Sequence, residues 1–439
     1  MSFNEQNNLL GESFFKRTFG RGWKGDDNPA YINWRGCEFI LTADCNLKCS
    51  YCYLNRYGDK LYPRKLYADR GKLVDNSKMI LNWMADNGYD PHMELFSGEP
   101  FIDDTSFEVL GDMVDILGPT KHKRKIMVPT NYTFLLDKQR TSQVESLLKH
   151  SRAGGRPVRL SASFDGKLME ENRPMKSGVN RRDDAYYDRC FAFNKKWVFG
   201  FHPMVYSKNI EKWKDNFLWF QAKLKKHGIP WTNIYLLEVR NKEWTKEDLV
   251  HYSDFIRFLY EYAFDKCGRD PKVFQDFLFQ DKGFNILTSS LSKIGRGIGC
   301  SIQANLAIRL GDLALVTCHR TMYPQFIWGR LKTDGRKITG IEVKNPELML
   351  AIYSLNASKF PYCANCVIRP LCPQGCLGSQ YEETGDLFTP IPTVCRMYHV
   401  KVKTMIECFR DLGVYERIRG ILSEEKVFAL EEFERLMVS

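Results

Sequence analysis

Across residues 37–239, short apolar or β-branched runs alternate with stretches whose apolar positions recur every three to four residues. The runs CEFILTA (37–43), HMELFSG (92–98), RKIMVPT (124–130), VRLSASF (158–164), VFGFHPMVY (198–206) and NIYLLEV (233–239) predict strands, each followed by a helix. Between 213 and 227, Trp213, Phe217, Phe220 and Leu224 fall on one helical face, and Gly228 supplies the stop. Another helix is expected to start at Thr245, whose hydroxyl can cap it together with Asp248 three residues on. Six strand–helix units in succession imply an α/β fold with a parallel sheet and right-handed crossovers, as an open or partly closed barrel or a doubly wound sheet. In either architecture the chemistry belongs at the C-terminal strand ends.

The pattern changes near residues 285–296. NLAIRLGDLALVTC (305–318) reads as two strands joined by a two-residue turn, Gly311-Asp312. A cysteine-rich segment follows, and from about Arg396 a charged helical tail. The expected organisation is an N-terminal segment (1–36), a strand–helix domain (37–290), a cysteine-rich domain of hairpin plus helices (291–395) and a helical tail (396–439).

With 439 residues and 44% apolar side chains, a sizeable core is assured. The first 36 residues show no basic-then-apolar export signal, and nowhere do 18 apolar residues run together, so a cytoplasmic protein is expected. The 64 basic and 53 acidic residues leave a net charge of +11, which favours an acidic partner, peptide or nucleic acid, and says little about fold. The basic clusters KHKRK (121–125) and KLKK (223–226) read as solvated helix ends and turns.

Fourteen cysteines without an export signal argue for metal or redox roles rather than disulfides. Cys37, Cys190, Cys267 and Cys408 are scattered and read as buried thiols. The stretch ADCNLKCSYCYLN (43–55), on the loop after the first strand, instead packs Cys45, Cys49 and Cys52 into eight residues. Structural zinc closes its shell with four ligands, and no His lies in this loop to complete one. A [4Fe–4S] cluster held by three cysteines keeps one iron open to a small molecule.

The spacing C-x-x-x-C-x-aromatic-C, here Cys45, Cys49, Tyr51 and Cys52, resembles the signature of the radical SAM superfamily. The resemblance continues at later strand ends. Ser97-Gly98-Glu99-Pro100 is similar to the family's G-G-E-P segment, with Ser for the first Gly; Thr130-Asn131-Tyr132-Thr133 is similar to T-N-G-T; Ser163-Phe164-Asp165-Gly166 is similar to S-x-D-G. The resemblance implies a partial (β/α)6 TIM-like barrel in which S-adenosylmethionine (SAM) is bound through Ser97, Gly98, Glu99, Pro100, Asn131, Ser163 and Asp165. Tyr51 and Tyr53 would then pack beside the cluster and the adenine. In that family an electron from the cluster cleaves SAM to a 5′-deoxyadenosyl radical, which abstracts a substrate hydrogen.

A second set, Cys363-x2-Cys366-x5-Cys372-x3-Cys376 and then Cys395, follows Cys300 and Cys318, which flank the hairpin. By spacing alone, zinc knuckles are as good a reading. The seven-cysteine order resembles the SPASM extension of radical SAM peptide-modifying enzymes, which carries two auxiliary [4Fe–4S] clusters. That resemblance implies a distal cluster on Cys363, Cys366, Cys372 and Cys395, and a proximal one on Cys300, Cys318 and Cys376. The proximal cluster would be open, or closed by His319, an Asp or Cys267. Gly311 and Cys318 stand seven positions apart where the family usually has five.

Three [4Fe–4S] clusters and SAM are thus the expected cofactors. The leading expectation is a maturase that abstracts hydrogen from a residue of a ribosomally made precursor peptide to form a crosslink, thioether or C–C bond. A flavodoxin or ferredoxin would supply electrons, and because only 36 residues precede Cys37, leader recognition is expected to need a separate leader-binding protein or the basic surface of this chain. One alternative is an anaerobic sulfatase-maturing, formylglycine-forming enzyme. There an Asp after the cysteine matching Cys318 serves as base; here His319 stands in that place as candidate catalytic base. The other alternative, a tRNA-modifying radical SAM enzyme, fits the positive charge but finds no RNA-binding module, so nucleic acid is not the expected partner.

Overall fold

The computed structural model describes residues 35–118, 124–279, 284–291, 302, 305–353 and 360–438. Residues 121–123 of the KHKRK cluster, Cys300 and nearly all of the N-terminal segment lie outside the described residues. The strands are β1 (Gly36–Ile40), β2 (His92–Phe96), β3 (Ile126–Thr130), β4 (Val158–Ala162), β5 (Gly200–Phe201), β6 (Met204–Val205), β7 (Leu237–Glu238), β8 (Asn305–Arg309), β9 (Ala314–Val316), β10 (Gly329–Asp334) and β11 (Lys337–Val343). The chain divides into two compact units, one from residues 1–162, 174–186 and 301–355, the other from 163–173, 187–300 and 356–439.

In the first unit the strand order is β11-β10-β9-β8-β1-β2-β3-β4. β8, β1, β2, β3 and β4 run parallel, while β9, β10 and β11 continue the sheet antiparallel. Helices α1 (Tyr53–Leu61), α2 (Arg70–Asp86), α3 (Thr105–Leu117) and α4 (Lys138–Ala153) fill the connections. Asp69 starts α2 by accepting from Lys72 N, and Asp137 starts α4 by accepting from Arg140 N. β1 is central, and Cys37, Phe39 and Ile40 are at most 1% exposed, as expected of a strand covered on both faces. Glu38 is the one charged residue in that strand, and the register sets it directly beside Glu94 of β2.

The hairpin of β8 and β9 forms, but its loop is longer than the two-residue turn that Gly311-Asp312 predicts. Arg309 pairs with Ala314, so Leu310–Leu313 make a four-residue loop closed by Leu313 N on Arg309 O at 2.8 Å. Arg309 and Asp312 lock it with two parallel hydrogen bonds of 2.8 Å. Gly311 is required by space: a Cβ there would stand 1.8 Å from Leu66 O. Gly311→Ala is therefore expected to force the loop outward and cost about 1–3 kcal/mol in urea titration.

The second unit holds β5, β6 and β7 and helices α5 (Trp213–Lys226), α6 (Lys246–Lys266), α7 (Leu377–Thr384), α8 (Pro392–Asp411) and α9 (Glu424–Val438). The fifth predicted strand is broken in two and the sixth shrinks to two residues. Pro203, between β5 and β6, cannot donate to a ladder, and this divides the run. The predicted face of α5 is buried, and Thr245 and Asp248 form the expected capping box on α6. α8 binds α6 through Arg257 to Glu407 (2.9 Å) and Asp411 (2.7 Å). Lys401 of α8 makes a buried ion pair with Glu238 at 2.8 Å. No helix among the described residues is long and apolar enough to cross a membrane. Cys37, Cys190, Cys267 and Cys408 are all buried thiols.

Candidate active site

In the first unit, the loops after β1, β2 and β3 are tied into one body by side chains. Gly98 fits only as glycine, since a Cβ would stand 2.2 Å from Asp44 O and 2.6 Å from Ala43 O. This close approach lets Glu99 N donate to Asp44 O (2.7 Å) and Gly98 N to Thr42 O (2.9 Å). The Glu99 carboxylate, 2% exposed, accepts from Thr130 Oγ1 (2.7 Å), Asn131 N (2.7 Å) and Phe101 N (3.2 Å). Ser97 Oγ meets Thr42 Oγ1 at 3.3 Å, and Pro100 opens the turn that follows. Asn131 Nδ2 donates to Asn46 Oδ1 (2.9 Å) and reaches Cys45 Sγ at 3.8 Å. Tyr132 holds φ +64°, the left-handed position that a Gly in T-N-G-T would take without strain. Arg70 of α2 binds Asp44 (2.5 Å) and Asp103 (3.2 Å), which fixes the loop from outside.

Cys45, Cys49 and Cys52 project from this braced loop. Cys52 stands at the residue before α1, and Cys49 O accepts from Cys52 N (3.1 Å) and Asn55 Nδ2 (2.9 Å). Burial pushes the Cys45 thiol up to about 12; Glu99, Cys49 and Cys52 add to the rise and the Leu47 N–H opposes it. The Tyr53 ring lies 6.0 Å from that of His319 and under the Arg320 guanidinium at 4.9 Å.

Glu38, which sequence reasoning passed over, organises the region around Cys318. Its Oε2 accepts from His319 N (2.8 Å) and faces His319 Nδ1 (2.9 Å), while Asn305 Nδ2 donates to Oε1 (2.6 Å). The His319 ring stacks on Phe96 at 3.6 Å and 10°, and Tyr62 Oη donates to His319 O at 2.6 Å. Burial opposes the imidazolium, but the Cys318 and Glu38 charges outweigh it, and the His319 pKa stands well above the ordinary value. Glu94 is raised to about 7, by burial first and by Glu38 second, with His319 opposing. Glu38, Cys318 and His319 place a carboxylate oxygen, a sulfur and a ring nitrogen within 4.8 Å of one another, a metal-ligand geometry. The available signal was one acid inside an otherwise apolar strand.

In the second unit, Asp165 is 2% exposed, and its Oδ1 accepts from Met204 N (2.9 Å) and pairs with Arg173 (3.4 Å). Ser163 beside it is half-buried. Gly166 holds φ +108°, and a Cβ there would meet Asn216 Oδ1 at 2.5 Å.

All five cysteines of the 363–395 segment line one cavity of about 80 Å³, with Arg240, Tyr398 and His399 in its wall. Burial raises the Cys372 thiol to about 12, with the Gln374 N–H opposing and Cys395, Cys366 and Cys363 adding. Cys395 is raised to about 11 by burial, then by Cys363 and Cys366. The four cysteines expected to share a cluster thus feel one another, and Cys376, at the residue before α7, lines the same cavity.

The donor set fits iron–sulfur clusters. Cys45, Cys318 and Cys372 each accept a backbone N–H from two residues on, at 3.4, 3.4 and 3.3 Å. Such bonds aim the sulfur and offset negative charge on a ligating thiolate. Thiols raised to about 12 are neutral at pH 7, and bound iron would reverse that local field and take them as thiolates.

A parallel α/β sheet with cysteines on the loop after its first strand, and a cysteine-rich C-terminal segment, is the arrangement that the radical SAM and SPASM resemblance implies. No protein-family model matches the sequence, and no curated protein matches it. Among solved structures the chain is similar to anSMEcpe, an anaerobic sulfatase-maturing enzyme, with bound AdoMet. The hexahistidine-tagged form is 16% identical with a TM-score of 0.56, over 90% of this chain and 98% of that one. The native form is 15% identical with a TM-score of 0.57, over 88% and 100%. SuiB of Streptococcus suis bound to S-adenosylmethionine is 14% identical with a TM-score of 0.49, over 89% and 79%. The likeness to anSMEcpe is one of fold and agrees with the resemblance read from the motifs.

Proposed function

We propose that this chain is a radical SAM enzyme that modifies a peptide, with residues 37–290 carrying SAM and its cluster and residues 291–395 carrying two auxiliary clusters. The observation that carries the reading is the three-cysteine loop, cross-braced through Glu99 and Asn131 to the loops after β2 and β3. Bound there, the cluster and SAM would supply a 5′-deoxyadenosyl radical. The chain's own part is to hold Cys45, Cys49 and Cys52 on a rigid loop and to keep a fixed polar floor beneath it. A ribosomally made precursor peptide is the proposed substrate, with a flavodoxin or ferredoxin as donor and a separate leader-binding protein as helper.

Sulfatase maturation is the second reading, favoured by one observation: anSMEcpe has been solved with AdoMet and a peptide, Cp18Cys. Against it stands His319 where that family places an Asp base. Glu38 fixes the His319 ring but also favours its charged form, so in either reading the proposed base must first give up a proton before it can accept one. Incubating the anaerobically reconstituted chain with SAM and dithionite is expected to give 5′-deoxyadenosine; no release above the protein-free control would sink the proposal. Mass spectra of a sulfatase-type peptide and of precursor peptides encoded beside the gene then separate the two readings.

A further inference from the structure

We infer that His399 sets the reduction potential of the cluster in the cysteine-lined cavity, by donating an imidazole N–H to the Cys366 sulfur. The inference rests on the auxiliary-cluster reading of that cavity. His399 Nε2 lies 3.7 Å from Cys366 Sγ, and the ring stands in the cavity wall with both cysteines of the C-x-x-C pair. Its placement follows from α8: Cys395 and His399 are four residues apart, so one helical face delivers a ligand and, a turn later, a donor. The Phe433 ring of α9 meets His399 edge-on at 5.6 Å and 74°, which fixes the imidazole plane.

A hydrogen bond to a ligating thiolate draws electron density from sulfur and favours the reduced cluster, which carries the extra negative charge. The Gln374 N–H does the same for Cys372 at 3.3 Å, but it belongs to the backbone, where every substitution except proline keeps it. His399 is a side-chain donor, and so a place where substitution tunes the site. It is a positioning residue: nothing requires it to touch substrate.

The test is an electron paramagnetic resonance redox titration of the reconstituted full chain as wild type, His399→Phe and His399→Gln. Phenylalanine keeps a planar ring against Phe433 and removes the N–H; glutamine keeps a donor. In the Phe variant one midpoint potential is expected to fall by a tenfold change in the oxidised-to-reduced ratio, about 59 mV for one electron. Iron and sulfide content should hold, the remaining potentials should stay fixed, and the Gln variant should recover part of the shift. Unchanged potentials in the Phe variant would overturn the inference, as would loss of about four irons from both variants, which would make His399 a ligand or a packing residue. Wild-type chain holding no more than about four irons would instead remove the auxiliary-cluster reading itself.

Discussion

Cys49→Ala is expected to abolish 5′-deoxyadenosine formation while leaving the fold and the auxiliary clusters in place. The Cys49 carbonyl helps to hold the loop, by accepting from Cys52 N at 3.1 Å and Asn55 Nδ2 at 2.9 Å. Alanine keeps both of these bonds and removes one of the three thiolates. Cys45→Ala would be a less clean test, because Cys45 Sγ also accepts from Leu47 N at 3.4 Å and is reached by Asn131 Nδ2. Iron per chain should fall by about four, the content of one cluster. Circular dichroism and the urea midpoint should match wild type. Wild-type rates of 5′-deoxyadenosine release from the Cys49→Ala chain would remove the radical SAM reading, since that loop holds no further cysteine and no histidine to replace the ligand.

The parts of the fold written locally were legible. The face of α5 is stated by Trp213, Phe217, Phe220 and Leu224, and the α6 cap by Thr245 and Asp248, because both depend on neighbours within a turn. β1 to β4 were found as apolar runs, while the short β5, β6 and β7 were overdrawn because Pro203 decides pairing and apolar content does not. The hairpin loop was misjudged for a longer-range reason: its shape is set by Arg309, Asp312 and the close passage of Leu66 O. In the candidate site, the cysteines announce themselves by spacing, whereas their supports do not. Glu38 and His319 are 281 residues apart in sequence, and only the pairing of β1 with β8 brings them together. Asn46, Asn131 and Arg70 are likewise ordinary polar residues until the loops meet. His399 was within reach, since a His four residues after a cysteine on an amphipathic helix shares its face.

Glu99→Ala is expected to be the most destabilising single change near the three-cysteine loop. The carboxylate is 2% exposed and satisfies Thr130 Oγ1, Asn131 N and Phe101 N. Truncation leaves these three donors buried without that acceptor, at about 1–3 kcal/mol each, and a total of roughly 3–6 kcal/mol allows for partial relaxation. Glu99→Gln separates charge from shape. Its amide oxygen can still accept from Thr130 and Phe101, but its NH2 then faces the Asn131 N–H, donor against donor. The Gln chain should therefore lose about 1–3 kcal/mol, less than Ala. Because Asn131 carries the bond to Asn46 and the contact to Cys45, slackening at Glu99 travels to the cysteine loop. SAM affinity by equilibrium dialysis should fall in the order wild type, Gln, Ala, in step with the urea midpoints. Stability falling while SAM binding holds would show that the brace serves the fold alone. Binding falling while stability holds would instead assign Glu99 to direct contact with SAM.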